Sequence, residues 1–328
     1  MSLRSVYDVL LLDLDGTVYR GRDAVPGAVK ALTVGDDRLF YVTNNASRRP
    51  REVAEHLCDL GFPADESTVV TSSQSAARIL AERVPAGAPV LVVGTEALAE
   101  EISRVGLAPV RSAAERPVAV VQGHSPDTGW TILAEATLAI RAGALWVATN
   151  VDSTLPTERG LVLGNGSMVA AVRSATGAVP LVAGKPAAPL LEDAIARSVA
   201  ERPLVVGDRL DTDIEGAVTV GVDSLLVLTG VSTVADLLRA PATQRPTYVA
   251  ESLSCLDADA ATLRAGSAEG WIVTVDGGDL RVETTGPADP MAALRAVLPV
   301  AWANQEFDRV IGVNGPARSS IQQWNTVA

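Results

Sequence analysis

LLLDLDGTVY, Leu10 to Tyr19, runs three leucines directly into two aspartates and a glycine. An apolar run of this kind is typical of a buried strand in a parallel sheet. With one residue between them on extended chain, Asp13 and Asp15 point to the same side, and Gly16 lets the backbone turn away. Two carboxylates at the end of a buried strand repel each other and lose hydration, so the stretch indicates a site that needs a cation or a reaction.

A calcium-binding loop is the competing metal-site interpretation of the D-x-D pattern. It is excluded because its sixth position would be Val18 rather than glycine and its twelfth would be Ala24 rather than glutamate. An incidental pair of solvated aspartates remains open for this motif taken alone.

Apolar, β-branched runs alternate with amphipathic segments along residues 1–240, which predicts an α/β fold with a parallel sheet covered by helices. An amphipathic helix is predicted over Pro189–Val199. The predicted strands are Val6–Asp13, Arg38–Asn44, Ala88–Gly94, Pro117–Gly123, Ala144–Asn150, Val179–Lys185, Pro203–Asp208 and Ser224–Thr229.

Four of these strands lead directly into carboxylate, hydroxyl, amide or lysine side chains, and each such segment is called a strand exit. Open parallel sheets bind ligands at the carboxyl ends of their strands. The four exits are LDLDGT from Leu12, VTNNAS from Val42, AGKP from Ala183 and VGDRLDTD from Val206. Together they predict one site.

The second and third exits suit a phosphate group. Thr43, Asn44 and Asn45 offer a hydroxyl and two amides, although an Asx turn or a helix cap is the better explanation of this motif taken alone. Lys185 offers a compact positive charge, and it is one of only two lysines among 27 basic residues.

The fourth exit is acidic. Asp208 ends a strand and is predicted to join Asp13 on a hard cation, for which oxygen ligands favour Mg²⁺. Asp211 and Asp213 follow at once, and acids in a first helical turn also serve simply as complements to the helix dipole.

The net charge of −12 argues against a nucleic-acid partner, because binding the phosphate backbone needs a basic surface. The two cysteines, Cys58 and Cys255, lack metal-site or framework spacing, which predicts free thiols in a reducing compartment. No leader pattern and no apolar run of about 18 residues is present, so we expect no membrane association and a cytoplasmic location.

The spacing of the exits predicts the domain organisation. A catalytic core is expected over residues 1–73 plus 182–250, with a cap domain inserted over residues 74–181. Residues 255–328 form a third, small α+β region with a hairpin over Trp271–Thr284 and a helix entered through Asp289 and Pro290. The cap and this third region are the candidate surfaces for a homo-oligomer.

The set DLDGT, TNN, GKP and GDRLDTD, in this order and at these strand ends, resembles the haloacid dehalogenase superfamily of phosphatases. The insert between the second and third motifs resembles the C2-capped branch, the group of p-nitrophenyl phosphatase, phosphoglycolate phosphatase and glycerol-3-phosphate phosphatase. The resemblance covers about residues 5–250 and implies a Rossmann-like core with a parallel sheet and an inserted α/β cap.

By position in these motifs, the resemblance implies that Asp13 attacks phosphorus and forms an aspartyl-phosphate. Asp15 would protonate the leaving group and then activate water. Asp13, the backbone carbonyl of Asp15 and Asp208 would hold Mg²⁺.

The remaining motif residues would complete the site. Thr43, Asn44, Asn45 and Lys185 would bind the phosphate, and the following acids would orient Lys185 and metal-bound water. These acids are Asp211 and Asp213.

The cap is expected to select the substrate. In the loop VQGHSPDTGW, Val121 to Trp130, the family often carries an Asp-Pro pair and an aromatic near the tip, whereas this chain has Ser125-Pro126-Asp127. We expect a small substrate, glycerol 3-phosphate first, with 2-phosphoglycolate, a nucleotide or a sugar phosphate as alternatives. His124 is a specificity contact or a plain loop histidine.

Three alternative functions remain open for the chain or for parts of it. A non-enzymatic phosphoacceptor or metabolite-binding regulator also carries an aspartate at a strand end near a lysine, but such receiver domains are about half this length. A phosphomutase would use the same aspartate and pass the phosphoryl group to a second sugar. Residues 255–328 resemble part of an acetyltransferase-like fold without a Gly-rich loop for an acyl-CoA, which favours a structural or regulatory role.

Overall fold

The computed structural model describes residues 1–35, 37–157 and 159–324. The strands are β1 Val9–Leu12, β2 Tyr19–Arg20, β3 Asp23–Ala24, β4 Leu39–Thr43, β5 Val69–Thr71, β6 Pro89–Val93, β7 Ala108–Val110, β8 Ala119–Gln122, β9 Leu145–Ala148, β10 Thr154–Thr157, β11 Gly160–Leu163, β12 Leu181–Val182, β13 Pro203–Gly207, β14 Asp223–Val227, β15 Tyr248–Ala250, β16 Trp271–Asp276, β17 Asp279–Thr284 and β18 Val310–Gly312. The α-helices are α1 Leu3–Val6, α2 Ala28–Thr33, α3 Pro50–Asp59, α4 Ser72–Ala81, α5 Glu96–Arg104, α6 Trp130–Arg141, α7 Asn165–Thr176, α8 Ala188–Ser198, α9 Glu215–Val220, α10 Val234–Leu238, α11 Ala260–Leu263, α12 Pro290–Ala303 and α13 Gly315–Gln323.

The chain divides into two compact units. The first contains Met1–Phe40, Leu60–Pro63 and Ser198–Ala328, and the second contains Tyr41–Asp59 and Ala64–Arg197. Strand β4 starts in the first unit and ends in the second. The domain limits expected from the sequence, at residues 73, 182 and 250, stay a prediction.

The first unit is built on parallel strands in the order β15-β14-β13-β1. All four residues of β1 are buried, as expected of an apolar strand covered on both faces. The register pairs Val9 with Pro203 and Leu12 with Val206. Asp13 and Asp208, which directly follow these two adjacent strands, therefore lie at the same edge of the sheet.

The C-terminal part of the first unit has its own three-stranded sheet, in the order β16-β17-β18. The predicted hairpin is confirmed, with Trp271 opposite Thr284, and so is the predicted helix entry. The Asp289 side chain accepts hydrogen bonds from the amides of Met291 and Ala292, and Pro290 occupies the first turn of α12.

This C-terminal part shares one apolar core with the parallel sheet. Leu226 of β14, Val249 of β15 and Leu237 of α10 lie in the same buried cluster as Leu280 of β17 and Leu298 of α12. Residues 268–324 are therefore packed into the first unit.

The second unit contains the parallel pair β4–β5, a five-stranded parallel sheet in the order β12-β9-β8-β6-β7, and the hairpin β10–β11. Alternate residues of the five-stranded sheet enter two different cores. Val90 and Val121 lie in one of them, and Leu91 and Val120 lie in the other. Both faces of this sheet are thus covered.

Several predicted boundaries were wrong in detail. The first strand does not begin at Val6, because Leu3–Val6 form the short helix α1. The strand predicted over Val179–Lys185 contains only Leu181–Val182, and the Lys185 amide donates to the side chain of Asn44 instead of to a neighbouring strand. Three-residue strands such as β5 and β15 were missed because they are too short to show a period.

Two further expectations were tested by the described residues. Both cysteines are free thiols, as predicted. In the described part of the chain, no helix combines the length and apolar character needed to cross a bilayer.

Candidate active site

The loop after β1 turns back tightly on itself. The amide of Asp13 still donates to the carbonyl of Val206 at 2.8 Å, and the Leu14 carbonyl then accepts the amide of Val18 at 2.9 Å. Gly16 has a φ of +94°, which confirms the sharp turn expected at this glycine. Asp13 is half-buried and Asp15 is exposed, so the two carboxylates lie in different environments.

Three carboxylates come together in the first unit. Asp13, Asp208 and Asp213 each place an oxygen within 4.8 Å of the others. Asp13 follows β1, Asp208 follows the adjacent strand β13, and Asp213 lies in the π-helical turn Leu210–Ile214. The motifs predicted a metal site at Asp13 and Asp208 with Asp213 farther out, but the structure places Asp213 in the same cluster.

Asp208 is completely buried. Its carboxylate accepts the amide of Val231 at 2.7 Å and the hydroxyl of Thr17 at 3.2 Å. Burial raises the pKa of Asp208 to about 6, with a further contribution from the charge of Asp213, and the two hydrogen bonds oppose this shift. The negative charge at this carboxylate is therefore only partly compensated by protein groups.

A cluster of this composition fits a hard divalent cation. Its donors are all oxygens, and Mg²⁺ is usually bound through one or two carboxylates while it retains several waters. A cation would also relieve the mutual repulsion that raises the pKa of Asp208. The residues present therefore fit the Mg²⁺ that the motifs predict.

Asp211 lies outside this cluster. It is exposed and forms a two-pronged ion pair with Arg209, at 2.8 and 3.0 Å. The Arg209 amide donates to Asp213 at 3.1 Å, which helps to orient that carboxylate. The structure thus separates two acids that the sequence argument grouped together.

The loop after β14 completes the surroundings of Asp208, and no motif predicted this. Its residues VLTGVST, 227–233, contain Gly230 and Val231. A Cβ atom on Gly230 would lie 1.9 Å from an Asp208 carboxylate oxygen, so no side chain fits there. The Thr229 hydroxyl donates to the carbonyl of Gly16 at 2.7 Å and ties this loop to the one after β1. A glycine directly after the predicted strand Ser224–Thr229 was the available sequence signal.

In the second unit, Lys185 is 2% exposed. Its ammonium group donates to the carbonyl of Val42 at 3.0 Å. Lys185 and Asn44 are linked twice, since the Lys185 amide donates to the Asn44 side chain at 2.8 Å and that side chain donates to the Lys185 carbonyl at 3.0 Å. The structure therefore brings together the second and third predicted exits, and the side chain of Lys185 is buried rather than solvated.

Thr43 and Asn45 form local turn contacts. The Thr43 hydroxyl accepts the amide of Asn45 at 3.1 Å, and the Asn45 side chain accepts the amide of Ser47 at 2.8 Å. Such contacts are those of an Asx turn, which the sequence argument left open for these residues.

Two further residues of the second unit contact Asn44 and were not predicted. The Asn44 amide group lies 3.2 Å from an Asp152 carboxylate oxygen, and Asn150 donates to the Asn44 carbonyl at 2.8 Å. Both occur in TNVDS, residues 149–153, directly after β9. This is another strand exit rich in polar residues, and the sequence could have shown it.

His124 follows β8 in the second unit and is half-buried. Its Nδ1 has no hydrogen-bond partner among the described residues. Burial lowers the pKa of His124, so the neutral imidazole is favoured near pH 7. Its role as a specificity contact stays a prediction.

Comparison with known proteins identifies the family. The model of the haloacid dehalogenase-like hydrolases matches residues 10–108, and a second model of such hydrolases matches residues 182–256. A D-glycerol 3-phosphate phosphatase of Mycobacterium tuberculosis is 51% identical over 99% of this chain and 96% of its own length. The chain belongs to the haloacid dehalogenase-like hydrolases.

Two other relatives of this hydrolase are informative. The crystal structure of the glycerol phosphate phosphatase of M. tuberculosis in complex with magnesium has a TM-score of 0.95 and 53% identity, covering 99% of this chain and 98% of its own. A 5′-nucleotidase of Bacillus subtilis is 38% identical over 69% of this chain and 89% of its own length.

These findings confirm the family and the α/β fold class with its parallel sheet that the motifs predicted. They also bear on residues 268–325, which match the model of a GCN5-related N-acetyltransferase like domain. The predicted likeness of the C-terminal region to an acetyltransferase-like fold is thus confirmed.

Proposed function

We propose that this hydrolase is a Mg²⁺-dependent phosphatase that converts D-glycerol 3-phosphate and water into glycerol and inorganic phosphate. The observation that carries the substrate is the 51% identity to a D-glycerol 3-phosphate phosphatase over 99% of the chain. The cluster of Asp13, Asp208 and Asp213 supports the metal dependence.

The proposed reaction has two steps. In the first, a carboxylate oxygen of Asp13 bonds to phosphorus, the bond from phosphorus to the glycerol oxygen breaks, and Asp15 gives its proton to that oxygen. In the second, Asp15 takes a proton from water, the water oxygen bonds to phosphorus, and the acyl phosphate bond to Asp13 breaks. Both residues are then returned to their starting state. The exposure of Asp15 supports its exchange of protons with solvent.

Asp13, the backbone carbonyl of Asp15 and Asp208 are proposed to hold Mg²⁺, with Asp213 close enough to bind it directly or through water. When bound, Mg²⁺ would neutralise the carboxylates and withdraw charge from the phosphoryl oxygens. Asp211, which is paired with Arg209, keeps its proposed role in orienting the surrounding groups.

Lys185, Thr43, Asn44 and Asn45 are proposed to bind the phosphate. A buried ammonium group has lost hydration, so an anionic ligand compensates it well. The double link between Lys185 and Asn44 supports a shared task, because it holds the two residues in a defined relation.

The experiment is a phosphate-release assay with and without Mg²⁺. The substrates are D-glycerol 3-phosphate, 2-phosphoglycolate, a nucleoside monophosphate and a hexose phosphate. We expect kcat/KM for D-glycerol 3-phosphate to exceed the others by at least about tenfold. Faster release from another class would refute the substrate, and transfer of the phosphoryl group to a sugar without free phosphate would identify a mutase.

Asp13→Asn tests the nucleophile and Asp308→Asn is the matched control, since Asp308 is an exposed aspartate of the C-terminal region. The first variant should lose phosphate release and the aspartyl-phosphate trapped by acid quench, whereas the control should keep both. Activity that survived Asp13→Asn would contradict the assignment.

The remaining proposals concern the setting of the enzyme. We propose a catalytic core over residues 1–73 plus 182–250, a cap over residues 74–181 that selects substrate through His124, and a homo-oligomer formed through the cap or the C-terminal region. The net charge of −12 supports the absence of a nucleic-acid partner. A cytoplasmic location is proposed because both cysteines are free thiols, which suits a reducing compartment. His124→Ala should raise KM more than it lowers kcat, and light scattering measures the assembly size.

A further inference from the structure

The 229–233 loop, Thr229 to Thr233, supplies backbone groups that hold Asp208. Besides the Val231 amide on the carboxylate at 2.7 Å, the amide of Ser232 donates to the Asp208 carbonyl at 3.2 Å. The Ser232 hydroxyl accepts the amide of Leu210 at 2.9 Å. The position of this acid therefore depends on the position of the loop.

The loop continues directly into α10, which has only five residues. A helix this short is not stable by its own hydrogen bonds, so its placement depends on tertiary contacts. Its N-terminus is capped by reciprocal hydrogen bonds between Thr233 and Asp236. Its buried side chains lie in the apolar core shared with the C-terminal region, and they are Val234, Leu237 and Leu238.

The C-terminal region also holds the other end of α10. The indole Nε1 of Trp302 donates to the carbonyl of Leu237 at 2.9 Å. Trp302 is itself fixed by Arg245, whose guanidinium lies 5.2 Å from the ring centre and donates to the Trp302 carbonyl at 3.1 Å. A continuous set of contacts thus runs from α12 through α10 to the 229–233 loop and Asp208.

The same region offers little to an acyl-CoA. The N-terminus of α12 is capped by the Asp289 carboxylate, so a phosphate group there would meet a negative charge. The third region of the chain is therefore better explained by its contacts with α10 than by a transfer reaction.

We propose that the C-terminal region positions the metal-binding carboxylate of Asp208, and that Trp302 is a positioning residue which acts through α10 and the 229–233 loop. The proposal rests on the proposed function only in that Asp208 binds Mg²⁺. It assigns the acetyltransferase-like region a structural task in the phosphatase reaction.

The test compares Trp302→Phe with Trp324→Phe in the full chain. Trp324 is a matched control because its indole Nε1 also donates to a backbone carbonyl at 2.9 Å, but to that of Pro290 at the start of α12 rather than to one in α10. Two properties are measured without substrate: amide hydrogen exchange of residues 229–233 in metal-free protein, and the Kd for Mg²⁺ alone by titration calorimetry.

Trp302→Phe should speed exchange of residues 229–233 about tenfold and raise the Kd for Mg²⁺ about tenfold, the effect expected when an outer support of a metal ligand is lost. Trp324→Phe should leave both values within about twofold of the unchanged protein, even if it lowers the Tm equally. The proposal is overturned if the two variants weaken Mg²⁺ binding to the same extent, or if Trp302→Phe changes neither value.

The outcome is separable from that of the proposed function. If the protein prefers another phosphomonoester, the exchange and Mg²⁺ measurements still decide the positioning role. If the unchanged protein binds no Mg²⁺, the positioning role is overturned, whatever the substrate screen shows.

Discussion

Gly230→Ala is the sharpest single test of how Asp208 is held. The new Cβ atom would lie 1.9 Å from a carboxylate oxygen and 2.2 Å from the carboxyl carbon of Asp208. An ordinary separation of about 3.5 Å requires the loop or the carboxylate to move by about 1.5 Å. The Val231 amide, now 2.7 Å from that carboxylate, would then lose its partner.

The size of the effect follows from these contacts. A hydrogen bond to a charged group contributes about 1.5–3 kcal/mol, and Asp208 is completely buried, so water cannot replace the lost donor. We expect the free energy of unfolding to fall by about this amount. A displacement of this size at the proposed metal ligand should also lower kcat/KM about 100-fold.

Urea denaturation measures the free energy of unfolding, calorimetry measures the Mg²⁺ affinity, which should also fall, and the phosphate-release assay measures kcat/KM. Gly315→Ala is the control, because a Cβ atom at Gly315 meets no atom within 4 Å. If Gly230→Ala does not fold, Thr17→Val removes only the 3.2 Å hydrogen bond and should weaken Mg²⁺ binding less. Mg²⁺ affinity and turnover unchanged in a folded Gly230→Ala would refute the reasoning.

Three further outcomes are expected from positions away from the acidic cluster. Val199 is a β-branched residue with a φ of +48° and an exposed side chain, so Val199→Gly should raise the free energy of unfolding by about 0.5–1 kcal/mol in urea denaturation. Burial raises the pKa of Glu101, so the folded protein binds this proton more tightly than the unfolded chain does. The free energy of unfolding of the unchanged protein, compared with that of Glu101→Gln, should therefore fall as the pH rises through that pKa. Burial raises the pKa of Cys255 to about 12, so iodoacetamide at about pH 8 should alkylate the exposed Cys58 first, as read by mass spectrometry.

Each of these outcomes has a built-in comparison. Val199→Ala keeps a Cβ atom and should show less of the gain, and equal gains would contradict the strain argument. Glu100→Gln should show the opposite pH trend to Glu101→Gln, because the hydrogen bond to Arg49 lowers the pKa of Glu100. Equal alkylation of both thiols in folded protein would contradict the burial of Cys255.

Two members of the acidic cluster, Asp13 and Asp208, could be predicted because each directly follows an apolar run that is typical of a buried strand. The leucines before Asp13 and the apolar run before Asp208 mark two buried strands, and parallel strands bring such residues to one edge. Lys185 was also found from sequence, although its strand was drawn too long. Asp152 was not predicted, because it follows β9, which is not among the four strand exits that carried the prediction.

The sequence by itself determined the family, the α/β class and the identities of the acids and the lysine, because those depend on side-chain type and on order along the chain. Only the tertiary structure decided that Asp213 joins the cluster, that the Val231 amide holds Asp208, and that Trp302 caps a helix 65 residues earlier in the chain. A backbone amide has the same chemistry at every position, and a close approach such as that at Gly230 exists only between segments distant in sequence. Their roles therefore arise from where the fold places them.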